Sequence, residues 1–180
     1  MVELSEEKSE NELFVMDLKN YDTSMPHYLR EAVRAIIFNN GKIALVKSEK
    51  EGYFKFPGGG IENGETHQQT LIRETQEETG LNVIPYSIEE YGMVKELRKS
   101  LFAEEIFEQI SYYYFCEIEE DKISQNCLDE YETELGYHLE YVNIEEAIKT
   151  NSMLENNYES EFIKRETNIL RLLLNEKISI

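Results

Sequence analysis

A chain of 180 residues, 41% of them hydrophobic, can bury one sizeable core, so we predict a single domain with short appendages. Its formal net charge of −19 would repel the phosphates of DNA or RNA, which excludes a nucleic-acid polymer as an expected partner. No apolar run approaches the roughly 20 residues of a membrane span, and the segment from Glu3 to Glu12 is acidic, unlike a signal sequence, so we expect a cytoplasmic protein with no membrane partner.

The first part of the chain contains two regions with strand patterns. Residues 1–29 are predicted to form an acidic arm or one extra strand, with an apolar patch at Leu13 to Met16, ahead of a main domain at residues 30–180. Two apolar runs, Ala32 to Phe38 and Ile43 to Val46, flank an Asn-Gly sequence, which is a strong hairpin signal. We therefore predict a two-stranded hairpin at this point.

Helix and strand signals alternate along the rest of the chain. A capping-box pattern and a terminal glycine predict a helix from Thr66 to Thr79, and the aromatic-rich run from Gln109 to Ile118 predicts a buried strand. A shorter strand is expected from Tyr141 to Ile144, a helix from Glu145 to Lys149, and a long last helix from the apolar spacing between Tyr158 and Leu173. This irregular alternation predicts an α/β fold of the mixed α+β kind, with helices flanking a mixed β-sheet.

Three glutamates near the end of the first predicted helix share one of its faces. Glu74, Glu77 and Glu78 lie three and four residues apart. Each like-charged pair at this spacing costs about 0.2 to 0.5 kcal/mol in an exposed helix, and the helix dipole disfavours anions in the last turns. A bound divalent cation would remove both objections, because carboxylate oxygens are ligands that magnesium prefers. The alternative is a solvated acidic face, which is common in a chain this rich in glutamate.

A glycine-rich loop before this helix completes a longer pattern. The segment from Gly59 to Leu81, GGIENGETHQQTLIRETQEETGL, resembles the Nudix box, G-x(5)-E-x(7)-R-E-U-x-E-E-x-G-U, where U is a bulky apolar residue. All seven fixed residues are present in these 23 positions, and Thr75 is the one departure, where the family usually has an apolar side chain. The resemblance implies an α/β/α sandwich with a mixed sheet. It also implies hydrolysis of a phosphoric anhydride bond in a nucleoside diphosphate linked to another group, with Mg²⁺ as the metal and Mn²⁺ as a possible substitute.

The resemblance further implies roles for particular residues. Metal ligands are expected from the helix carboxylates and from one backbone carbonyl of the loop: Glu74, Glu77, Glu78 and either Gly58 or Gly59. Three residues are expected to hold loop and helix in place: Glu65, Arg73 and Gly80. Catalytic roles fall to Glu77 and Glu78, and the general base stays open between Glu77 and Glu134, which lies in a later acidic run.

Basic side chains near these elements are candidates for contact with substrate phosphate. Lys55, beside the glycine loop, is the strongest of them, and Arg34, in the first predicted strand, is another. Each is also compatible with an ordinary surface charge. Leu97, Arg98 and Lys99 occupy the places past the box where some relatives have a proline or a tyrosine, so the sequence leaves the substrate open.

Three functions compete on this evidence. The leading hypothesis is a metal-dependent hydrolase acting on a small nucleotide, such as a nucleoside triphosphate or a nucleotide sugar. The chief alternative is a catalytically silent Nudix-like module that senses a nucleotide, and a third is a structural protein with an acidic helix. The intact glutamate set favours the hydrolase, because a pure binding module has no need of three helix carboxylates. Apolar residues from Ile169 to Leu174 in the last helix also suggest a homodimer.

Overall fold

The computed structural model describes residues 11–155 and 161–176, with the backbone alone for residues 120–123. Within this part of the chain there are ten strands and four α-helices. In chain order they are β1 (Glu12–Asp17), β2 (His27–Ile36), β3 (Phe38–Asn39), β4 (Lys42–Ser48), β5 (Phe54–Lys55), α1 (His67–Thr79), β6 (Leu81–Val83), β7 (Glu89–Lys99), β8 (Ile106–Phe115), β9 (Ile118–Ile123), α2 (Glu130–Leu135), β10 (Tyr137–Val142), α3 (Ile144–Leu154) and α4 (Phe162–Asn175). None of these helices combines the length and the apolar character needed to cross a membrane.

The larger sheet is mixed, as predicted, and has the strand order β1-β7-β8-β2. Strand β1 runs parallel to β7 and β2 parallel to β8, whereas β7 and β8 are antiparallel. A second, antiparallel sheet has the order β10-β4-β3, with β5 also paired to β4, and β6 pairs with β9. The apolar patch at Leu13 to Met16 lies in β1, and β2 begins at His27. The division into an arm at residues 1–29 and a domain at residues 30–180 stays a prediction.

The Asn-Gly turn forms as predicted, but the strand before it is divided between two sheets. Asn40 and Gly41 have φ angles of 51° and 74°, as both central residues of a type I′ turn require. Only Phe38–Asn39 pair with β4 in the hairpin, because β2 pairs with β8 as far as Ile36. The predicted single strand is therefore wrong in its last residues. Nothing in the local sequence pattern indicates that β2 pairs in parallel with β8, which comes much later in the chain.

The first helix begins and ends where the sequence predicts. The hydroxyl of Thr66 accepts a hydrogen bond from the backbone N–H of Gln69, and the Gln69 side chain accepts one from the backbone N–H of Thr66. At the other end Gly80 has φ 76° and donates its N–H to the carbonyl of Gln76. These caps satisfy backbone groups that a helix leaves unpaired. Helix α1 therefore holds Glu74, Glu77 and Glu78, called the box glutamates below, at fixed positions.

The last third of the chain differs in detail from the predictions. Strand β10 comes earlier than the expected Tyr141 to Ile144, and α3 is longer than the expected Glu145 to Lys149. The predicted last helix is present as α4, but its expected first residue, Tyr158, lies outside the described residues. Helix α2 was not predicted at all, because its residues form an acidic run that suggested a loop.

Helices α1 and α4 pack on opposite faces of the larger sheet. Val33 of β2 packs with Leu71 of α1, whereas Ile36 of the same strand packs with Ile169 of α4. Three apolar residues of α4 that suggested a homodimer are at most 1% exposed in this core: Ile169, Leu170 and Leu173. Leu172 is partly buried against the same core, and Leu174 is exposed, at 37%. The homodimer stays a prediction.

Candidate active site

The glycine loop lies between strand β2 and helix α1 and contacts both. Along one edge of β2, Val33 and Ala35 donate backbone hydrogen bonds of 3.0 and 2.8 Å to the carbonyls of Gly59 and Pro57. Gly58 has φ 137°, and a β-carbon there would lie 2.1 Å from the Val33 carbonyl oxygen, so only glycine fits. A β-carbon at Gly59 would lie 2.4 Å from the carboxyl carbon of Glu74. The loop backbone is therefore in direct contact with the glutamates of α1.

Glu78 is the most deeply buried of the three box glutamates, with 1% of its surface exposed. One carboxylate oxygen accepts a 2.8 Å hydrogen bond from the Gly58 N–H, and the other forms an ion pair with Lys55. The ammonium of Lys55 also lies 4.8 Å from the centre of the Tyr137 ring, and its side chain is 14% exposed. The structure thus brings Lys55 to the glycine loop and the helix, as its position in the sequence suggested.

Glu74 and Glu77 lie on either side of the Arg73 guanidinium. Nη1 of Arg73 donates hydrogen bonds of 2.8 Å to Glu74 and 3.0 Å to Glu77. Burial raises the pKa of Glu74 above its usual value, and the negative charges of Glu78 and Glu77 raise it further, against the opposing effect of Arg73. Negative charge is therefore concentrated at this end of the helix, where a cation would lower the energy.

Arg73 also joins the helix to the loop through Glu65. Its Nε and Nη2 each donate a 2.8 Å hydrogen bond to one carboxylate oxygen of Glu65, a paired geometry that suits the planar guanidinium. Hydrogen bonds from Arg73 and then from Thr70 lower the pKa of Glu65 to about 2. These contacts join α1 to the loop, and Gly80 caps the same helix. The supporting role of the three residues stays a prediction.

The donor chemistry of the site fits a hard divalent cation. Among the described residues, no three His, Cys, Asp or Glu side chains converge as they stand into a cluster that could hold a metal. The carboxylate of Glu78 forms an ion pair with Lys55, and the carboxylates of Glu74 and Glu77 form ion pairs with Arg73, so they do not point at one common position. Three carboxylates beside a backbone loop without β-carbons still supply the oxygen ligands that Mg²⁺ and Mn²⁺ bind.

The structure places Glu134 away from the box glutamates and a different acid beside them. Glu134 is exposed and forms a 2.6 Å ion pair with Lys50, which lowers its pKa. Two residues earlier on α2, the carboxyl of Glu132 lies beside Glu78 and Lys55. Burial, followed by the charge of Glu78, raises the pKa of Glu132 to about 7. The sequence signal that could have indicated this residue is the pair Asp129 and Glu132, which forms a capping box in the structure.

Arg34 lies inside the interface between the larger sheet and α4. It is 6% exposed, donates a 3.0 Å hydrogen bond to the carbonyl of Val33, and lies 3.9 Å from Glu166. Its neighbours are buried side chains of α4 rather than Lys55 and the box glutamates. This position argues against direct contact with phosphate, and the phosphate-binding role of Arg34 stays a prediction without geometric support.

An α/β/α sandwich whose glycine loop leads from the sheet edge into a helix with three glutamates defines a class of proteins. Residues 28–164 match the family model described as the NUDIX domain, which is more than half of the chain. The chain belongs to the Nudix family.

Individual relatives and structures agree with this assignment. The chain is 43% identical over 70 residues to an ADP-ribose pyrophosphatase of Methanocaldococcus jannaschii, covering 36% of this chain and 39% of that protein. It is 32% identical over 90 residues to nucleoside triphosphatase NudI of Enterobacter sp. (strain 638), covering 47% of this chain and 64% of that one. The chain thus spans less than two thirds of these curated relatives. A NUDIX hydrolase structure from Nitrosomonas europaea shares the fold, with a TM-score of 0.52, 17% identity, and coverage of 77% of this chain and 85% of that one.

Proposed function

We propose that this protein is a metal-dependent hydrolase that cleaves a phosphoric anhydride bond in a small nucleotide. The substrate is a nucleoside diphosphate linked to a further group, such as a nucleoside triphosphate or a nucleotide sugar. The observation that carries the proposal is the complete set of glutamates on α1, two of which, Glu74 and Glu78, contact the glycine loop, with Glu78 buried to 1% exposure beside a lysine. Burial of paired charges is costly and is concentrated at functional sites.

Mg²⁺, or Mn²⁺ in its place, is the metal that these residues would hold. The ligands are Glu74, Glu77 and Glu78 together with a loop carbonyl. The carbonyl of Gly59 already accepts a hydrogen bond from Val33, which favours the carbonyl of Gly58. When bound, the metal would neutralise phosphate oxygens and lower the pKa of a coordinated water.

The chain's own residues supply positioning and proton transfer. Lys55 pairs with Glu78 here, and its ammonium can exchange that partner for an oxygen of the substrate phosphate when a metal takes the carboxylate. Glu132 lies beside Glu78, and its carboxylate can accept a proton from the attacking water. Glu77 and Glu134 are the alternatives for this base, but their carboxylates pair with the cations Arg73 and Lys50 respectively. The carboxylate of Glu132 instead accepts a hydrogen bond from the uncharged backbone N–H of Asp129.

Turnover with and without metal tests the proposal. The purified protein is incubated with nucleoside triphosphates, ADP-ribose and UDP-glucose, with Mg²⁺, with Mn²⁺ or with EDTA, and phosphate and nucleotide products are measured. We expect metal-dependent cleavage of at least one compound and a loss of two or more orders of magnitude in Glu78→Gln. The exposed Glu145→Gln variant on α3 is the matched control and retains full activity.

A negative result would separate the hydrolase from the sensing module. Nucleotide binding without any turnover in Mg²⁺ or Mn²⁺ would reject the hydrolase and favour a nucleotide sensor. Failure to bind any divalent metal would reject both the metal site and the proposed chemistry. The cytoplasmic location and the homodimer belong to the same proposal, and the homodimer is tested by the mass of the protein in solution.

A further inference from the structure

A cavity of about 470 Å³ opens at the end of the larger sheet where β2 and β8 begin and β7 ends. Three residues of its floor lie side by side on neighbouring strands, since Tyr28 pairs with Phe107 and Phe107 pairs with Arg98. Phe102 and Glu105, from the loop between β7 and β8, line its mouth. The volume is within the range of sites that hold small molecules.

The floor of the cavity presents flat groups on which a planar ring can stack. The rings of Tyr28 and Phe107 are 6.1 Å apart and inclined by 30°, and the Arg98 guanidinium lies 4.2 Å above the Phe107 ring. Tyr28 is 51% exposed and Phe102 is 95% exposed, so aromatic surface is left uncovered around the opening. Aromatic side chains with an adjacent arginine are typical platforms for nucleobases.

Arg30 connects this cavity with the glycine loop. It lines the cavity, donates a 3.0 Å hydrogen bond to Gln109, and its Nη2 would lie 3.3 Å from a β-carbon at Gly60. The preceding loop residue, Gly59, contacts Glu74. A phosphate bound by Arg30 would therefore lie between the cavity and the box glutamates.

The charges around Arg30 favour an anion. Three of the four arginines in and behind the cavity form ion pairs with Glu96 or Glu166: Arg34, Arg98 and Arg165. Arg30 donates a hydrogen bond to the neutral Gln109 and forms no ion pair within the described part of the chain. Burial and the neighbouring charges of Arg34 and Arg165 lower the pKa of Arg30 to about 10. An arginine whose guanidinium has no ion-pair partner suits a phosphate.

Two adjacent glutamates in the loop at the mouth differ in their surroundings. Glu104 forms a 2.8 Å ion pair with Lys99. Glu105 lines the cavity, and its carboxylate makes no hydrogen bond or ion pair with any side chain in the described ranges 11–155 and 161–176. A carboxylate only accepts hydrogen bonds, so its complement on a ligand is an N–H donor such as an exocyclic amino group.

We propose that this cavity binds the base of a nucleotide that carries an exocyclic amino group, with the ring on Tyr28 and Phe107, the amino group at Glu105 and a phosphate at Arg30. The proposal rests on the proposed function, because it names the part of the substrate that selects it. It excludes substrates whose group at this position has no N–H donor.

Binding of nucleoside monophosphates tests the cavity apart from hydrolysis, since these compounds contain no anhydride bond. Calorimetry in EDTA compares AMP, purine riboside 5′-monophosphate, which lacks only the 6-amino group, and ribose 5-phosphate, which lacks the base. We expect AMP to bind about tenfold more tightly than purine riboside 5′-monophosphate, and ribose 5-phosphate to bind more weakly still.

Two pairs of variants assign the effect to residues. Glu105→Ala should bring the ratio between AMP and purine riboside 5′-monophosphate close to one, whereas Glu104→Ala should leave it unchanged. Tyr28→Leu should weaken both nucleotides by about fivefold or more, whereas Tyr86→Leu, at a tyrosine that is 90% exposed elsewhere, should not.

Equal affinity for AMP and purine riboside 5′-monophosphate would overturn the role of Glu105, and equal affinity for ribose 5-phosphate would overturn the base site. No binding of AMP, GMP or CMP by a protein that hydrolyses nucleotides would reject the cavity and leave the hydrolase standing. Selective AMP binding by a protein without turnover would support the cavity and reject the hydrolase.

Discussion

The backbone of Gly59 lies so close to Glu74 that a β-carbon at Gly59 would be 2.4 Å from the Glu74 carboxyl carbon, at the flexible end of that side chain. The preceding glycine meets a different kind of atom, because a β-carbon at Gly58 would be 2.1 Å from the backbone oxygen of Val33. The two glycines are adjacent in the sequence, but a methyl group at each of them has a different consequence.

Gly59→Ala should move the Glu74 carboxylate and leave the fold almost intact. We expect its metal-dependent activity to fall by about tenfold or more while its free energy of unfolding changes by about 1 kcal/mol or less. Gly58→Ala should instead destabilise the protein by about 3 kcal/mol, because the backbone cannot yield and φ 137° is strained for alanine. Denaturant unfolding and a turnover assay on both variants check the contrast. Equal stability of the two variants would contradict it.

Lys55 should stabilise the metal-free protein by compensating the buried charge of Glu78. Removing the partner of a buried ion costs about 3 kcal/mol, and the two side chains are 14% and 1% exposed. We therefore expect Lys55→Met to lower Tm without metal and to gain more from added Mg²⁺ than the unchanged protein does, since the metal would replace the missing cation.

Lys50→Met is the matched control for that experiment. Lys50 also pairs with a glutamate, but its side chain and that of Glu134 are 53% and 70% exposed. Exposed pairs contribute little because water screens them, so Tm should hardly change and should not respond differently to Mg²⁺. Thermal melts with Mg²⁺ and with EDTA provide both measurements. A Lys55→Met protein that ignores Mg²⁺ would count against the metal site.

The contact between Glu65 and Arg73 should make part of the stability depend on pH. The pKa of Glu65 is about 2 in the folded protein, below its ordinary value of 4.5, so ionised Glu65 favours the folded state. This contribution is fully present above pH 4.5 and is lost as the pH falls toward 2. Glu65→Gln should therefore lose more stability at pH 7 than at pH 3.5. Denaturant unfolding of both proteins at the two pH values measures this difference. An equal loss of stability at pH 7 and pH 3.5 would contradict the predicted pH dependence.

Glu132 should control the acidic side of the rate profile. A general base must be ionised, and burial raises the pKa of Glu132 above its ordinary value, so kcat/KM should rise with pH on the acidic side of the profile. Glu132→Gln should lower the rate by about a hundredfold or more and remove this rise, whereas Glu134→Gln on the same helix should keep both rate and profile. A loss confined to Glu134→Gln would return the role to that residue.

Local signals in the sequence were sufficient for the first helix and its box. The capping pair Thr66 and Gln69, the terminal Gly80 and the three-and-four spacing of Glu74, Glu77 and Glu78 act within a few residues, so the chain specifies them without its distant parts. The Asn40-Gly41 turn was predictable for the same reason, because both residues tolerate positive φ.

Tertiary structure alone decided which charged groups from distant parts of the chain meet. Capping of α2 by Asp129 and the turn at Gly136 orient that helix so that Glu132 faces Glu78 while Glu134 faces Lys50. Strand register aligned Tyr28 with Phe107, which is 79 residues later in the chain, and α4 buried Arg34 beside Glu166. These positions depend on contacts between segments that are far apart in the sequence. Such contacts form only when the strands and helices pack together, so no local pattern indicates them. Residue spacing within one segment therefore determined the helix and its glutamates, whereas the packing of separate segments determined the base, the cavity and the partners of the buried charges.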